Sequence, residues 1–147
     1  MRDVDSQPVH DRLIRRIYEK IHVNRDKITR VEKKFLNDAD IAVVSYGATA
    51  RPALGAVLKA RENKKTLKKN VGMLRLQTIW PFPNKYIAEL GKKVDKIIVP
   101  EMNLGQISRE IERFVNTDEC EVIPVSKIGG IVHSIDEIYS KIKEEAK

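Results

Sequence analysis

Polar side chains follow a predicted buried strand in the stretch from Lys96 to Gln106, which reads Lys-Ile-Ile-Val-Pro-Glu-Met-Asn-Leu-Gly-Gln. In open α/β sheets, ligands and partners bind where a parallel strand ends and the next helix begins. Glu101 lies just past the strand, so its carboxylate could contact a ligand or an arginine. A structural salt bridge to Arg51 or Arg75 is the alternative. Asn103 precedes an amphipathic pattern and is predicted to cap a helix.

A second candidate site is the corner Tyr46-Gly47-Ala48-Thr49-Ala50-Arg51, which follows another apolar run. Glycine permits the tight turn from a strand into a helix. Free N–H groups at a helix start, together with Arg51, could hold an anion. Because no further glycines accompany Gly47, a purely structural turn is the other interpretation.

The segment Ile79-Trp80-Pro81-Phe82-Pro83 contains the only tryptophan of the chain in a proline-stiffened loop. Large aromatic side chains in rigid loops are typical of protein–protein contacts. The alternative is that Trp80 and Phe82 cover the local core.

No catalytic motif accompanies these candidates. The sequence has no glycine-rich dinucleotide fingerprint, no Walker phosphate-binding sequence and no CxxC pair. Its three histidines lack the spacing of metal ligands. The single cysteine, Cys120, excludes an internal disulfide and a cysteine-based iron–sulfur site within these residues, and we interpret it as a core residue. We therefore do not expect catalysis by this chain alone.

The charge balance favours neither nucleic acid nor membrane as a partner. The net charge is +7, but lysines alternate with glutamates along the chain. The densest basic run, Arg61 to Lys69, falls where a helix is predicted to end, and cations are favoured there by the helix dipole. The 147 residues contain no apolar run near the roughly 20 that a membrane span needs. A soluble cytoplasmic protein is the expectation.

Hydrophobic periodicity predicts a repeated strand–helix pattern from Ala39 onwards. The predicted strands are Ile41–Tyr46, Val71–Leu76, Ile97–Pro100 and Glu121–Val125. The predicted helices start at Thr49–Pro52, at a capping Asn84, at Gly105 and at a Ser134/Glu137 capping box. Short connections between alternating elements indicate a parallel sheet with helices on both faces.

The first part of the chain is less regular. Residues 1–9 are expected to form a loose arm, and Asp11–His22 a short amphipathic helix. Residues 26–36 fit either a helix or an edge strand. We favour the strand, which would span Ile28–Lys34. The chain is accordingly divided into residues 1–38, with an arm, a helix and a possible edge strand, and residues 39–147, the α/β domain.

Three motifs together resemble the alpha subunit of 2-oxoacid:ferredoxin oxidoreductases, in particular the 2-oxoglutarate type. They are Tyr46-Gly47…Ala50-Arg51, Gly72-Met73-Leu74-Arg75-Leu76…Trp80-Pro81-Phe82-Pro83 and Val99-Pro100-Glu101-Met102-Asn103-Leu104-Gly105-Gln106. The resemblance spans about Val9 to Ile142. It implies a transketolase C-terminal-like domain, a three-layer α/β/α sandwich with parallel strands in the order 2-1-3-4. It also implies one antiparallel edge strand, beside the Val71 strand.

The resemblance also implies a function. Such enzymes decarboxylate a 2-oxoacid oxidatively to an acyl-CoA, with thiamine diphosphate, magnesium and iron–sulfur clusters held by other domains. This chain would bind none of these cofactors. Its partners would be the remaining alpha-subunit domains and a beta subunit. Ferredoxin and CoA would be partners of the complete complex.

In that interpretation the chain is a non-catalytic docking domain. The expected docking edge comprises Tyr46, Gly47, Arg51, Trp80, Phe82, Glu101, Asn103 and Gln106. The alternative function is a stand-alone doubly wound module that binds a nucleotide or another anion at Gly47–Arg51 and at the Asn103 helix start.

Overall fold

A five-stranded sheet lies at the centre of the computed structural model, which describes residues 6–63 and 66–147. Its strands are β1 (Val31–Lys34), β2 (Ile41–Tyr46), β3 (Val71–Leu76), β4 (Lys96–Glu101) and β5 (Glu121–Ser126). They lie in the order β1-β3-β2-β4-β5; β1 is antiparallel to β3 and the other pairs are parallel. The predicted 2-1-3-4 order and the antiparallel edge strand are confirmed.

Helices cover both faces of this sheet. They are α1 (Gln7–His22), α2 (Arg25–Ile28), α3 (Ala50–Glu62), α4 (Asn84–Gly91), α5 (Gln106–Glu112) and α6 (Ile135–Glu145), and a 3₁₀ turn (Gly47–Thr49) precedes α3. Alternate residues of β2 point to opposite faces. Ile41 and Val43 pack in one core with α3 and α6, whereas Ala42 and Val44 pack in a second core with α4 and α5.

Several predicted boundaries need correction. The edge strand begins at Val31 rather than at Ile28, because residues 25–28 form α2. Helix α1 begins at Gln7 rather than at Asp11, so residues 7–9 of the predicted arm are helical. Residues 1–5 of that arm lie outside the described residues. Asn84 is not the N-cap of α4: Pro83 holds that position, and the Asn84 side chain accepts from the N–H of Lys85.

Other local predictions are confirmed. Ser134 and Glu137 form the capping box of α6. Helix α3 ends at Glu62, just inside the basic run, of which Lys64 and Lys65 lie outside the described residues. Cys120 is fully buried in the second core, and burial followed by the negative charge of Asp95 raises the pKa of its thiol to about 11.

Helix α1 spans 16 residues, and none of them is buried; among the described helices, the single-turn α2 is the other one without a buried residue. The apolar side chains Ile14, Ile17 and Tyr18 of α1 are each at least half exposed. Among the described residues, no helix has both the length and the apolar character needed to cross a bilayer.

We predict that Gly72→Ala destabilises the fold while Gly55→Ala does not. A Cβ at Gly72 would lie 2.6 Å from the backbone oxygen of Phe35, which cannot move away without shifting the chain. Overpacking of this kind costs about 1–3 kcal/mol. A Cβ at Gly55 would meet only the side chain of the half-exposed Ile135, with Cδ1 at 2.7 Å and Cγ1 at 3.0 Å. That side chain can turn away without moving the backbone, and alanine is a better helix former than glycine. Urea unfolding followed by circular dichroism compares the two variants, and equal stabilities would contradict the prediction.

We also predict that the ionised carboxylate of Glu137 stabilises the folded state at neutral pH, and that this stabilisation is lost in strong acid. The hydrogen bond from Lys127 and then that from the Ser134 N–H lower the pKa of Glu137 from 4.5 to about 2. A carboxyl whose pKa is lower in the folded state stabilises it above the unfolded pKa, and this contribution is lost as the pH falls through the folded pKa. The melting temperature of Glu137→Gln should therefore lie below that of the wild type at pH 7, and the two should converge near pH 2. Glu119→Gln, at an exposed position, is the control.

Candidate functional site

The strand order creates a switch point between the carboxyl ends of β2 and β4. The chain leaves β2 through α3 on one face of the sheet and leaves β4 through α5 on the opposite face. A crevice of this kind is the usual ligand site of open α/β sheets.

A hydrogen bond closes this crevice from within. The side-chain amide of Asn103 donates to the hydroxyl of Tyr46 across 2.8 Å. Burial, and then the charge of Glu101, raise the pKa of the Tyr46 hydroxyl. Tyr46 and Asn103 therefore lie together at the switch point, where their side chains are hydrogen-bonded to each other.

Asn103 also binds the start of α5. Its Oδ1 accepts from the N–H of Gly105 at 2.9 Å and from that of Gln106 at 2.8 Å. Gly105 occupies the N-cap position with a φ of 91°, a conformation that favours glycine. The predicted contact of Asn103 with this helix start is confirmed, although the N-cap residue itself is Gly105.

Glu101 is fully buried and does not belong to an exposed docking edge. Its two carboxylate oxygens accept from the N–H of Ile107 at 2.9 Å and from that of Ser108 at 3.1 Å. The predicted alternative of an arginine salt bridge is wrong as well, since Arg75 pairs instead with Glu32. The positive end of α5 is the partner of this carboxylate.

Phe82 does not belong to an exposed docking edge either, because its side chain is only 4% exposed. Its ring stacks on Phe114, with 5.7 Å between the ring centroids, and its backbone oxygen accepts from Arg25. Trp80, two residues earlier, is 77% exposed. The aromatic loop thus divides into one core residue and one surface residue.

An apolar groove of about 480 Å³ lies beside Trp80. Its walls are Trp80 and Pro81 on one side and the apolar stripe of α1 on the other, namely Ile14, Ile17, Tyr18 and Ile21. We call this set of residues the Trp80–α1 surface. The i, i+3/i+4 stripe was visible in the sequence, but its position opposite Trp80 was not.

Gly47 and Arg51 lie on a different part of the molecule. Both line a cavity of about 650 Å³ at the start of α3, together with residues of β1, β3 and the loop before α6. Gly47 has a φ of 55°, as its predicted turn requires. Gln106 is exposed at the start of α5.

Comparison with known proteins assigns the chain to a family. The family described as pyruvate:ferredoxin oxidoreductase core domain II matches residues 39–138. The chain belongs to this family. It is 40% identical to the 2-oxoglutarate synthase subunit KorA of Methanothermobacter marburgensis over 141 residues, which are 95% of this chain and 36% of that relative. It is 46% identical to the same subunit of Methanocaldococcus jannaschii, over 90% of this chain and 34% of the relative. The chain thus spans about a third of the length of these relatives.

Solved structures confirm the fold of this core domain II. A 2-oxoglutarate:ferredoxin oxidoreductase from Magnetococcus marinus, with 2-oxoglutarate, coenzyme A and succinyl-CoA bound, matches with a TM-score of 0.80 at 23% identity. The match covers 97% of this chain and 24% of that one. A split-gene transketolase matches with a TM-score of 0.56 over 80% of this chain and 41% of its own, at 13% identity. The predicted transketolase C-terminal-like architecture is therefore correct.

We predict that Glu101→Gln destabilises the core domain II. Glutamine keeps the shape of the side chain but replaces one acceptor oxygen with an NH₂ group, which would face a backbone N–H. A buried hydrogen bond to a charged group is worth about 1.5–3 kcal/mol, so a loss of this order is expected in chemical denaturation. Glu112→Gln, at an exposed position of α5, the helix that Glu101 contacts, is the matched control. Equal stability of the two variants would show that the Glu101 carboxylate is not needed.

Proposed function

We propose that this core domain II is a non-catalytic part of the alpha subunit of a 2-oxoglutarate:ferredoxin oxidoreductase. The relatives at 40% and 46% identity are both named 2-oxoglutarate synthase subunits, which supports this substrate class. The chain would act by docking against the remaining alpha-subunit domains and a beta subunit. A cytoplasmic location belongs to the same proposal.

The Trp80–α1 surface is the observation that supports docking best. A single tryptophan at 77% exposure faces a helix that contributes no residue to either core. Exposed apolar patches of this kind mark protein–protein contacts, and tryptophan is prominent among the residues that dominate binding energy. We assign this surface to the contact with the remaining alpha-subunit domains, with Gln106 and Tyr46 as further docking residues.

Cofactor chemistry in the proposed complex belongs to other domains. Thiamine diphosphate, magnesium and iron–sulfur clusters would serve the complex, but the described residues of this chain do not fit a metal ion or an iron–sulfur cluster. Its one cysteine is buried in the core, and no cluster of three metal-ligating side chains occurs in residues 6–63 and 66–147. The contribution of this chain would therefore be structural.

The alternative of a stand-alone anion-binding module loses one of its two sites. At the Asn103 helix start, the N–H groups of residues 105–108 all donate to side-chain oxygens of Asn103 and Glu101. An anion would have to displace both. The Gly47–Arg51 corner is unaffected by this argument.

The docking proposal predicts that catalysis requires assembly through Trp80. The chain alone should not decarboxylate 2-oxoglutarate. The experiment mixes it with a beta subunit and with the part of a relative's alpha subunit that it does not match. Reduction of a ferredoxin in the presence of 2-oxoglutarate and CoA should then appear, and turnover by the isolated chain would contradict the proposal.

Trp80 itself provides the binding signal, since no other tryptophan is present in the chain. Its emission should shift to shorter wavelength on assembly, because its environment becomes apolar. Trp80→Ala should weaken assembly by at least tenfold, since hot-spot truncations cost about 2 kcal/mol or more. Ile128→Ala removes a similarly exposed apolar side chain elsewhere and should have little effect. Equal losses for both variants would refute the assignment of this surface.

A further inference from the structure

The cavity at the start of α3 lies where the sheet extends beyond its covering helix. Glu32 pairs with Arg75, and Lys34 with Met73, in the register of β1 and β3, so the four side chains share one face. Met73 belongs to the core beneath α3, which identifies this face. A cavity of about 650 Å³ is within the range of small-molecule sites.

Positive charge dominates the lining of this cavity. Lys34, Arg51 and Arg75 face it together with a single carboxylate, Glu32. Glu32 lies 3.1 Å from Lys34 and 3.3 Å from Arg75, and these contacts, the hydrogen bond from Lys34 first, lower its pKa. Glu32 is therefore ionised and offsets only one of the three cations. The Arg51 side chain is exposed, and its guanidinium makes no hydrogen bond or ion pair within the described part of the chain.

The N-terminal end of α3 faces the same cavity. Gly47, Ala48 and Ala50 line it, and neither the 3₁₀ turn nor α3 has a side-chain cap. The hydroxyl of Thr49 is turned inward, since it donates to the backbone oxygen of Tyr46 and pairs with Ser45. The partial positive charge of this 13-residue helix is thus available to an anion.

A buried histidine provides an independent indication of a ligand. His133 lines the cavity and is only 4% exposed, yet neither ring nitrogen has a hydrogen-bond partner among residues 6–63 and 66–147. Buried polar groups in proteins are almost always paired. In every protonation state an imidazole has at least one N–H to donate, and the oxygens of an anion can accept it.

We propose that this cavity binds a phosphate-bearing small molecule. Arg51 and the start of α3 bind the phosphate, and the His133 ring lies beside it in the wall of the cavity. Leu54, Val132 and Met73 supply apolar lining beside the charged groups, so the site accommodates an organic body as well as the phosphate. The proposal does not depend on docking through the Trp80–α1 surface, which lies elsewhere on the molecule.

Titration calorimetry on the full chain at low ionic strength tests the proposal. The probes are pyrophosphate, ADP and succinate, the last as a dianion without phosphate. Pyrophosphate and ADP should bind, and tighter binding of ADP would identify the organic body as part of the ligand. Arg51→Ala should weaken binding about tenfold or more, because it removes a charge-assisted contact. Arg16→Ala, which removes an exposed positive charge on α1, should leave the affinity unchanged.

Nitrogen NMR of the imidazoles gives a second measurement that does not depend on a variant folding. The ring nitrogens of His133 should shift on addition of pyrophosphate, while those of His10 and His22 should not. The proposal is overturned if neither phosphate compound binds, or if succinate binds as tightly as pyrophosphate. An equal loss of affinity in the two arginine variants would also overturn it, because it would indicate attraction to net charge alone.

Discussion

The bonds between the Glu101 carboxylate and the start of α5 constrain the whole carboxyl edge of the sheet. A buried ionised carboxylate is stable only where hydrogen bonds and opposite charge compensate for its lost hydration. The N–H groups of Ile107 and Ser108 meet that requirement at 2.9 and 3.1 Å, and Asn103 binds the two N–H groups before them. The strand end and the helix start are thereby joined, and the crevice where this class of sheet usually binds a ligand is occupied by the chain's own side chains.

Because the switch point is closed, the two proposed binding surfaces lie elsewhere on the molecule. One is apolar and the other is positively charged. The Trp80–α1 surface is apolar and suits a protein partner, because burial of apolar area is what stabilises such contacts. The cavity at α3 combines Arg51, Arg75 and His133, whose ring nitrogens have no partner in the described part of the chain, and it suits a small anion. One domain can contain both, since neither surface uses residues of the other.

Hydrophobic periodicity predicts those elements whose residues share one environment along their whole length. The strands β2, β3 and β4 are nearly continuous apolar runs because both of their faces are covered, and the Ser134/Glu137 box is a local signal. The site was harder to predict, because its contacts either use backbone groups or join distant segments. The partner of Glu101 is backbone, which no residue type reveals. His133 reaches the α3 cavity through the loop before α6, a path that neither spacing nor composition indicates.

Trp80 and Phe82 are two residues apart, yet the first is exposed and the second is buried. Pro81 lies between the two rings and Pro83 follows them, so the backbone of the loop is restricted and the two rings point to different environments. Phe82 reaches Phe114 in the core, whereas Trp80 is left facing the stripe of α1. A helix of 16 residues with no buried side chain gains little from tertiary packing, and an isolated helix of that length is marginal in water. A partner that covers Trp80 would also cover Ile14, Ile17 and Tyr18, so binding and the stability of α1 would be coupled.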